Sequence, residues 1–240
     1  MNLTPSATAW CLLGACAAAG AATPCQPRDL GFNVAQAGWK HQPLSKLKRD
    51  TVYTRAPDEG TRKVLRASAD GSASLYVAAL KPAVGSAATL SWDWKTDALV
   101  PGADNRDKSL EDAPLRVIAA FDGDVATLPA DEQQRFKRAK NLSGRQPPFA
   151  VLMYIWTDKV PVGTVIPSAH TSQIKMLAVA SGPAGLGDWQ SVQRNLAEDY
   201  RRVYGAEPGP LLGVAVMTDT DNTRTKAVGE YAGLRLGCSR

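Results

Sequence analysis

The residues of this chain whose types and spacing suit chemistry are the carboxylates Asp93, Glu111, Asp112, Asp219 and Asp221, together with Arg116 and Asn222. Two carboxyl groups flanking a bond suffice for glycoside hydrolysis. The same residues in solvated turns satisfy local backbone donors and do nothing more. The run Asp219-Thr220-Asp221-Asn222-Thr223 concentrates acceptors and hydroxyls beyond what a tight turn requires, since Asn-Gly would suffice. The turn, the pair Glu111-Asp112 and a polar strand face carrying Asp93 and Arg116 therefore form the expected ligand-binding set. Its members are Asp93, Glu111, Asp112, Arg116, Asp219, Asp221 and Asn222, and no catalytic residue is assigned. A structural reading competes: Asp219 and Asp221 paired with Arg224 and Lys226 would be ordinary ion pairs.

Other chemistries fit poorly. The two histidines, His41 and His170, fall in text that reads as loop, and no Gly-x-Ser-x-Gly elbow is present. Asp219, Asp221, Thr223 and Glu230 stand at the first, third, fifth and twelfth places of a calcium-loop pattern. Arg224 occupies the place that needs glycine, and Lys226 adds a second positive charge, so no metal is expected. Ser181 to Asp188 lacks the Gly-Lys-Ser/Thr ending of a phosphate loop. No cofactor is expected.

The elements that must position these groups read mainly as strands. In Thr89–Lys95, Leu90, Trp92 and Trp94 share one face, and Ser91, Asp93 and Lys95 the other. Because Leu90 shares their face, the two tryptophans read as core in preference to a sugar-stacking pair. Leu115–Phe121, Phe149–Trp156 and Ile174–Ala180 are further apolar runs of strand length, and Trp189–Val192 is a short strand. Leu211–Met217, the 219–223 turn and Gly229–Leu236 read as a closing hairpin. Its first strand is apolar throughout and expected to be central. Its second sets Ala232, Leu234 and Leu236 against a wet face with Tyr231 and Arg235. Pro129–Leu142 reads as a helix, acidic in its first turn, basic late and followed by Gly144. A second is capped by Asn195, with Glu198 three residues on and Gly205 past its end. The expected fold is mostly β: one antiparallel β-sandwich of jelly-roll, galactose-binding-like type with two short helices over residues 23–240.

Of the 240 residues, 44% are apolar and 21% charged, which excludes a disordered chain. The net charge of +5 favours anionic neighbours such as acidic glycans or lipid headgroups. Lys and Arg are spread without a dense run, so no nucleic-acid partner is expected. Residues 1–22 read as an export signal: a short apolar core from Trp10 to Ala19 and then small residues, too short for a transmembrane segment. Leu13-Gly14-Ala15-Cys16 offers a second route, a lipoprotein anchored through Cys16. Cys25 and Cys238 are the cysteines outside this leader, and a disulfide between them is expected in an exported protein. The expected location is periplasmic or secreted.

Several segments taken in order resemble the bacterial family "domain of unknown function 3047" (DUF3047). They are Leu90-Ser91-Trp92-Asp93-Trp94-Lys95, Glu111-Asp112-Ala113-Pro114-Leu115-Arg116-Val117, Gly187-Asp188-Trp189, Glu198-Asp199-Tyr200 and Met217 to Thr223. The likeness runs from about Trp39 to Leu236. The paired acids of that family are usually two Asp, and here they are Glu111 and Asp112. The family carries no established activity, so the resemblance implies a fold and an export route. More loosely, Trp189–Leu236 is similar to the closing half of galactose-binding and carbohydrate-binding jelly rolls. Many of those end in an Asp-bearing strand where this chain has Gly233, so their calcium site does not carry over. The expected function is an exported, non-catalytic binding module for a glycan or another anionic envelope component. The alternative is a carboxylate-dependent glycan-active enzyme.

Overall fold

The computed structural model describes residues 26–85, 88–144, 146–169 and 171–238. In chain order the elements are β1 (Arg28–Asp29), β2 (Lys40–Pro43), β3 (Val52–Arg55), β4 (Leu65–Asp70), β5 (Ser74–Val84), β6 (Ala88–Lys95) and β7 (Ala113–Phe121). Then follow α1 (Ala130–Ser143), β8 (Ala150–Thr157), β9 (Val165–Pro167), β10 (Ile174–Ser181), β11 (Gln190–Asn195), α2 (Leu196–Tyr204), β12 (Leu211–Asp219) and β13 (Lys226–Cys238). One sheet runs β11-β6-β13-β4-β3, with β1 added on β13. The other runs β2-β5-β12-β7-β8-β10-β9. The described strands pair antiparallel except β8 with β10, which run parallel. The expected mostly antiparallel β-sandwich is therefore the fold.

Strict alternation makes the core. Leu90, Trp92 and Trp94 of β6 point inward against Leu115, Val117 and Phe121 of β7 and Leu152, Tyr154 and Trp156 of β8. Trp92 and Trp94 meet edge to face at 5.4 Å, and Trp94 lies 6.2 Å from Trp156. Both β6 tryptophans are core residues, almost fully buried. The helix α2 closes the core with Leu196, Tyr200 and Val203. The Asn195 side chain accepts from the Ala197 and Glu198 amides, and Gly205 ends the helix in left-handed geometry. The helix α1 follows Pro129 and ends at Gly144.

Three expectations are corrected here. The segment from Leu211 to Leu236 is not a hairpin. β12 lies in the seven-stranded sheet between β5 and β7, while β13 lies in the six-stranded sheet between β4 and β6. The acidic turn is thus an arch that carries the chain from one sheet to the other. The two sheets come close beside it: a Cβ at Gly229 would lie 2.5 Å from Thr218 Oγ1 and 2.6 Å from the Pro114 carbonyl oxygen. Tyr231 is also not on a wet face. The register of β13 slips between Ala232 and Arg235, where Gly233 takes φ +62°. This bulge lets Tyr231 and Leu234, three residues apart, both enter the core. Tyr231 then crosses to the other sheet, where its hydroxyl donates to the Met217 carbonyl at 2.5 Å and accepts from the Arg116 amide at 3.2 Å. His41, read as loop, lies in β2 with Nε2 3.0 Å from Ser74 Oγ. His170 lies outside the described residues.

The tryptophans supply a test of core energetics. The indole N–H groups of Trp92 and Trp94 meet no acceptor among the described residues, whereas Trp156 Nε1 donates to the Gly182 carbonyl at 3.0 Å. Trp156→Phe is therefore expected to cost about 1 kcal/mol more than Trp94→Phe in urea unfolding, the net value of one hydrogen bond. Equal losses would show that the Gly182 bond contributes nothing.

Candidate functional site

Alternation on β7 sends Leu115 and Val117 into the core and Arg116 to the opposite face of the seven-stranded sheet. Asp219, at the end of β12, lies on that same face. Arg116 Nε donates to Asp219 Oδ1 at 2.7 Å and Nη2 to Oδ2 at 3.0 Å, a bidentate pair in which both side chains are buried. Nη2 also reaches the Glu111 carbonyl oxygen at 2.9 Å, and Nη1 packs against Met176 Sδ at 3.2 Å. Asp219 Oδ1 accepts a further bond from the Ala113 amide at 3.2 Å. Burial pushes the Asp219 carboxyl up to about 6, against the pull of Arg116.

The rest of the arch is tied down residue by residue. Asp112 Oδ2 accepts from the Thr223 amide and hydroxyl, both at 2.7 Å, and Oδ1 accepts from the Asn222 amide at 3.3 Å. Asn222 Nδ2 donates to the Glu111 carbonyl at 3.1 Å. Asp221 pairs with Lys48 at 2.5 Å. The Thr220 amide donates to the Ser72 carbonyl at 3.0 Å. Asp112, Asp219 and Asp221 bring one carboxylate oxygen each within 4.8 Å of one another. That is the kind of donor set a hard cation takes. Here Arg116 and Lys48 supply the positive charge, and six donors, two of them from Arg116, fill the oxygens of Asp112 and Asp219. Chemically the cluster closes a turn and offers little to a solvent-borne ligand.

Asp93 does not join it. β6 belongs to the other sheet, and its alternation places Asp93 on the outer face of that sheet. The expected common groove of Asp93 and Arg116 therefore does not form: the two residues look out from opposite sides of the sandwich. Asp93 instead borders a shallow groove of about 240 Å³, lined by Ser91, Trp92, Asp93, Ser191, Val192, Gln193, Gly233 and Arg235. Ser191 Oγ donates to Asp93 Oδ1 at 2.5 Å, and Arg62 Nε to Oδ2 at 3.1 Å. The bulge at Gly233 forms the floor, where a Cβ would lie 3.2 Å from Asp93 Oδ2. Arg235 is exposed and has no ion-pair partner among the described residues.

Beside the groove, Trp189 Nε1 donates to Glu59 Oε2 at 2.7 Å, and Arg62 and Lys95 stand 5.3 and 5.0 Å from its ring centre. Lys95 bridges Glu59 at 2.7 Å and Glu230 at 2.9 Å. The Lys95 ammonium, and then the Trp189 indole, hold the Glu59 carboxyl below its ordinary range. Of the seven expected site residues, six gather at the arch and Asp93 stands alone in the groove. Ser191 and Gln193 were not singled out by sequence reasoning, and Arg235 was read only as part of a wet strand face, which it is. The polar alternation of Gln190–Asn195 is the signal that marks a wet strand there. Cys25 lies outside the described residues, so the Cys25–Cys238 pairing is not described. β1 does pair with β13, Arg28 opposite Leu236.

The family model "Protein of unknown function (DUF3047)" matches residues 37–235, and the chain belongs to that family. A search of curated proteins returned no match. Among solved structures the chain is similar to the xyloglucanase domain of NopAA, a type three effector from Sinorhizobium fredii, in complex with cellobiose. The TM-score is 0.40 at 7% identity, over 83% of this chain and 92% of that one.

The Asp219 carboxyl supplies a pH test. Its value of about 6 lies above the ordinary carboxylate value of 3.8, so the native state holds this proton more tightly than the unfolded state. The group's contribution to stability is full below about pH 4 and is lost as pH rises through about 6. Relative to Asp219→Asn, the wild-type protein is expected to lose on the order of 3 kcal/mol between pH 4 and pH 7 in urea unfolding. A difference that grows with pH would contradict it.

Proposed function

We propose that this DUF3047 chain is an exported, non-catalytic β-sandwich module that binds a glycan in the groove bordered by Asp93. The observation that carries the reading is the chemistry of that groove. Ser91, Ser191, Gln193, Asp93 and Arg235 set donors and acceptors side by side on three neighbouring strands of one sheet, β11, β6 and β13. A polyhydroxylated ligand needs such a surface, with geometry set by strands and not by loops. Arg235 at the rim, with no ion-pair partner among the described residues, favours a sugar that carries a carboxylate or another anionic group.

The state of the carboxylates supports binding over hydrolysis. A glycosidase needs a protonated acid and a second carboxylate facing one open bond. Asp219, raised to about 6, is buried under Arg116. Glu59, beside Trp189, is held ionised by Lys95. Export rests on the leader-like residues 1–22. The Cys25–Cys238 disulfide belongs to the same reading, and the β1–β13 pairing supports it by bringing the neighbourhoods of both cysteines to one edge.

The test begins with mature protein recovered from the periplasm, in which non-reducing peptide mapping is expected to find Cys25 joined to Cys238. On a glycan array this protein is expected to retain acidic or neutral saccharides. Gln193→Ala and Arg235→Ala are each expected to weaken retention about tenfold, the value of one hydrogen bond to a charged or well-placed group. The melting temperature should hold, since both residues lie at the surface. An array with no retained glycan, or variants that bind as the wild type does, would contradict the reading.

A further inference from the structure

The loop that joins β2 to β3 is unlike the rest of the surface. β2 is the edge of the seven-stranded sheet and β3 the edge of the six-stranded one, so the loop spans one flank of the sandwich. At its tip Leu47 is 97% exposed, with Leu44 at 42% and Val52 at 59%. A leucine this exposed contributes little to folding, and with Leu44 three residues before it the tip offers apolar surface to a partner. The charge of the loop is mostly positive: Lys40, Lys46, Lys48 and Arg49 stand against one acid, Asp50.

The tip is also held in place. Ser45 Oγ accepts from the amides of Leu47 and Lys48, each at 3.3 Å. The following residues are anchored to the body. Lys48 pairs with Asp221, Arg49 Nη1 donates to the Asp70 carbonyl at 3.2 Å, and the Ala73 amide donates to the Arg49 carbonyl at 2.9 Å. Lys40 and Lys46 have no ion-pair partner among the described residues. The basic groups nearest the body therefore serve as struts, while Leu47 and two uncompensated lysines are presented outward.

We infer that this loop docks the protein on an anionic lipid surface, with Leu47 and Leu44 entering the acyl boundary and Lys40 and Lys46 at the headgroups. A protruding apolar tip with the uncompensated Lys46 beside it matches a bilayer, which deforms around it and places apolar and anionic layers at successive depths. A protein partner would have to supply a matching socket. Edge-strand lysines also guard against strand pairing, but that role asks for no exposed leucine. The inference is independent of the groove, which lies on the outer face of the six-stranded sheet. One loop of this size gives weak, reversible adsorption, so the binding must be read at high lipid.

The test is co-sedimentation of the purified chain with phosphatidylglycerol-rich vesicles and with phosphatidylcholine vesicles. Binding is expected on the anionic vesicles alone, reduced at least fivefold in Leu47→Ser and in Lys46→Glu, and weakened by salt. Leu47→Trp should add a blue-shifted emission component with anionic vesicles that the wild-type chain lacks, which reports insertion without relying on loss of binding. The inference is overturned if the chain stays in the supernatant with anionic vesicles, or if it binds phosphatidylcholine equally well. It is also overturned if Leu47→Ser binds as the wild type does, which would leave charge alone as the cause.

Discussion

The architecture turns on one buried guanidinium. Arg116 cannot shed its proton inside a protein, and removing it from water is costly unless every face of the group is met. Asp219 meets two of its nitrogens, the Glu111 carbonyl shares one of them, and Met176 packs against the third. Each partner must then stay where it is. Asp219 is the last residue of β12, so the pair fixes where that strand stops and where the arch begins. Glu111 and Asp112 close the loop that enters β7, and through Asn222 and Thr223 they hold the far side of the same arch. Tyr231 completes the circuit by joining β13 to the Met217 carbonyl and the Arg116 amide. A buried ion pair is weak evidence for stability, but it is a strong device for specifying one register. Here it specifies that β12 and β13 part into different sheets.

That constraint decides which polar groups remain for function. The acids with the most suggestive sequence are consumed in holding the arch. The outer faces of the two sheets divide sharply. Around Arg116 the seven-stranded sheet presents Ile118, Ala215 and Met217, a small apolar cluster. The six-stranded sheet presents serines, acids, amides and cations, with the groove at Asp93 between β6, β11 and the bulge of β13. The polar groups left free of the arch therefore lie on the second face, where Gly233 forms the floor of the groove.

Much of the fold was legible in the sequence because local alternation carries it. Leu90, Trp92 and Trp94 show which way β6 faces, and the Asn195 cap with Gly205 marks both ends of α2. The arch was not legible, because a polar turn between two strand-like runs has the same local signature whether the strands pair or separate. Only the distant partners β5 and β7, β4 and β6 decide it. Tyr231 was misplaced because the bulge at Gly233 breaks the alternation of β13, so that Tyr231 before it and Leu234 after it share one face. Short β2 and β9 escaped because Lys40-His41-Gln42-Pro43 and Val165-Ile166-Pro167 carry no alternation to read. At the site, alternation correctly turned Asp93 and Arg116 away from the core between the sheets. It could not say that the strands lie in different sheets. Ser191, Gln193 and Arg235 were passed over because single polar residues on a wet strand face look alike until a groove forms above them.

The central claim is that the Arg116–Asp219 pair is a structural lock and not a ligand site. A double-mutant cycle in urea unfolding at pH 7.5, with Arg116→Met, Asp219→Ala (which removes the acceptors as well as the charge) and the double variant, tests it most directly. The lock requires the single changes to cost several kcal/mol, about 3–5 for a pair broken on one side. The double variant should recover at least about 2 kcal/mol of the summed loss as coupling. Additive losses within about 0.5 kcal/mol would mean that the two side chains do not depend on each other, and would contradict the account.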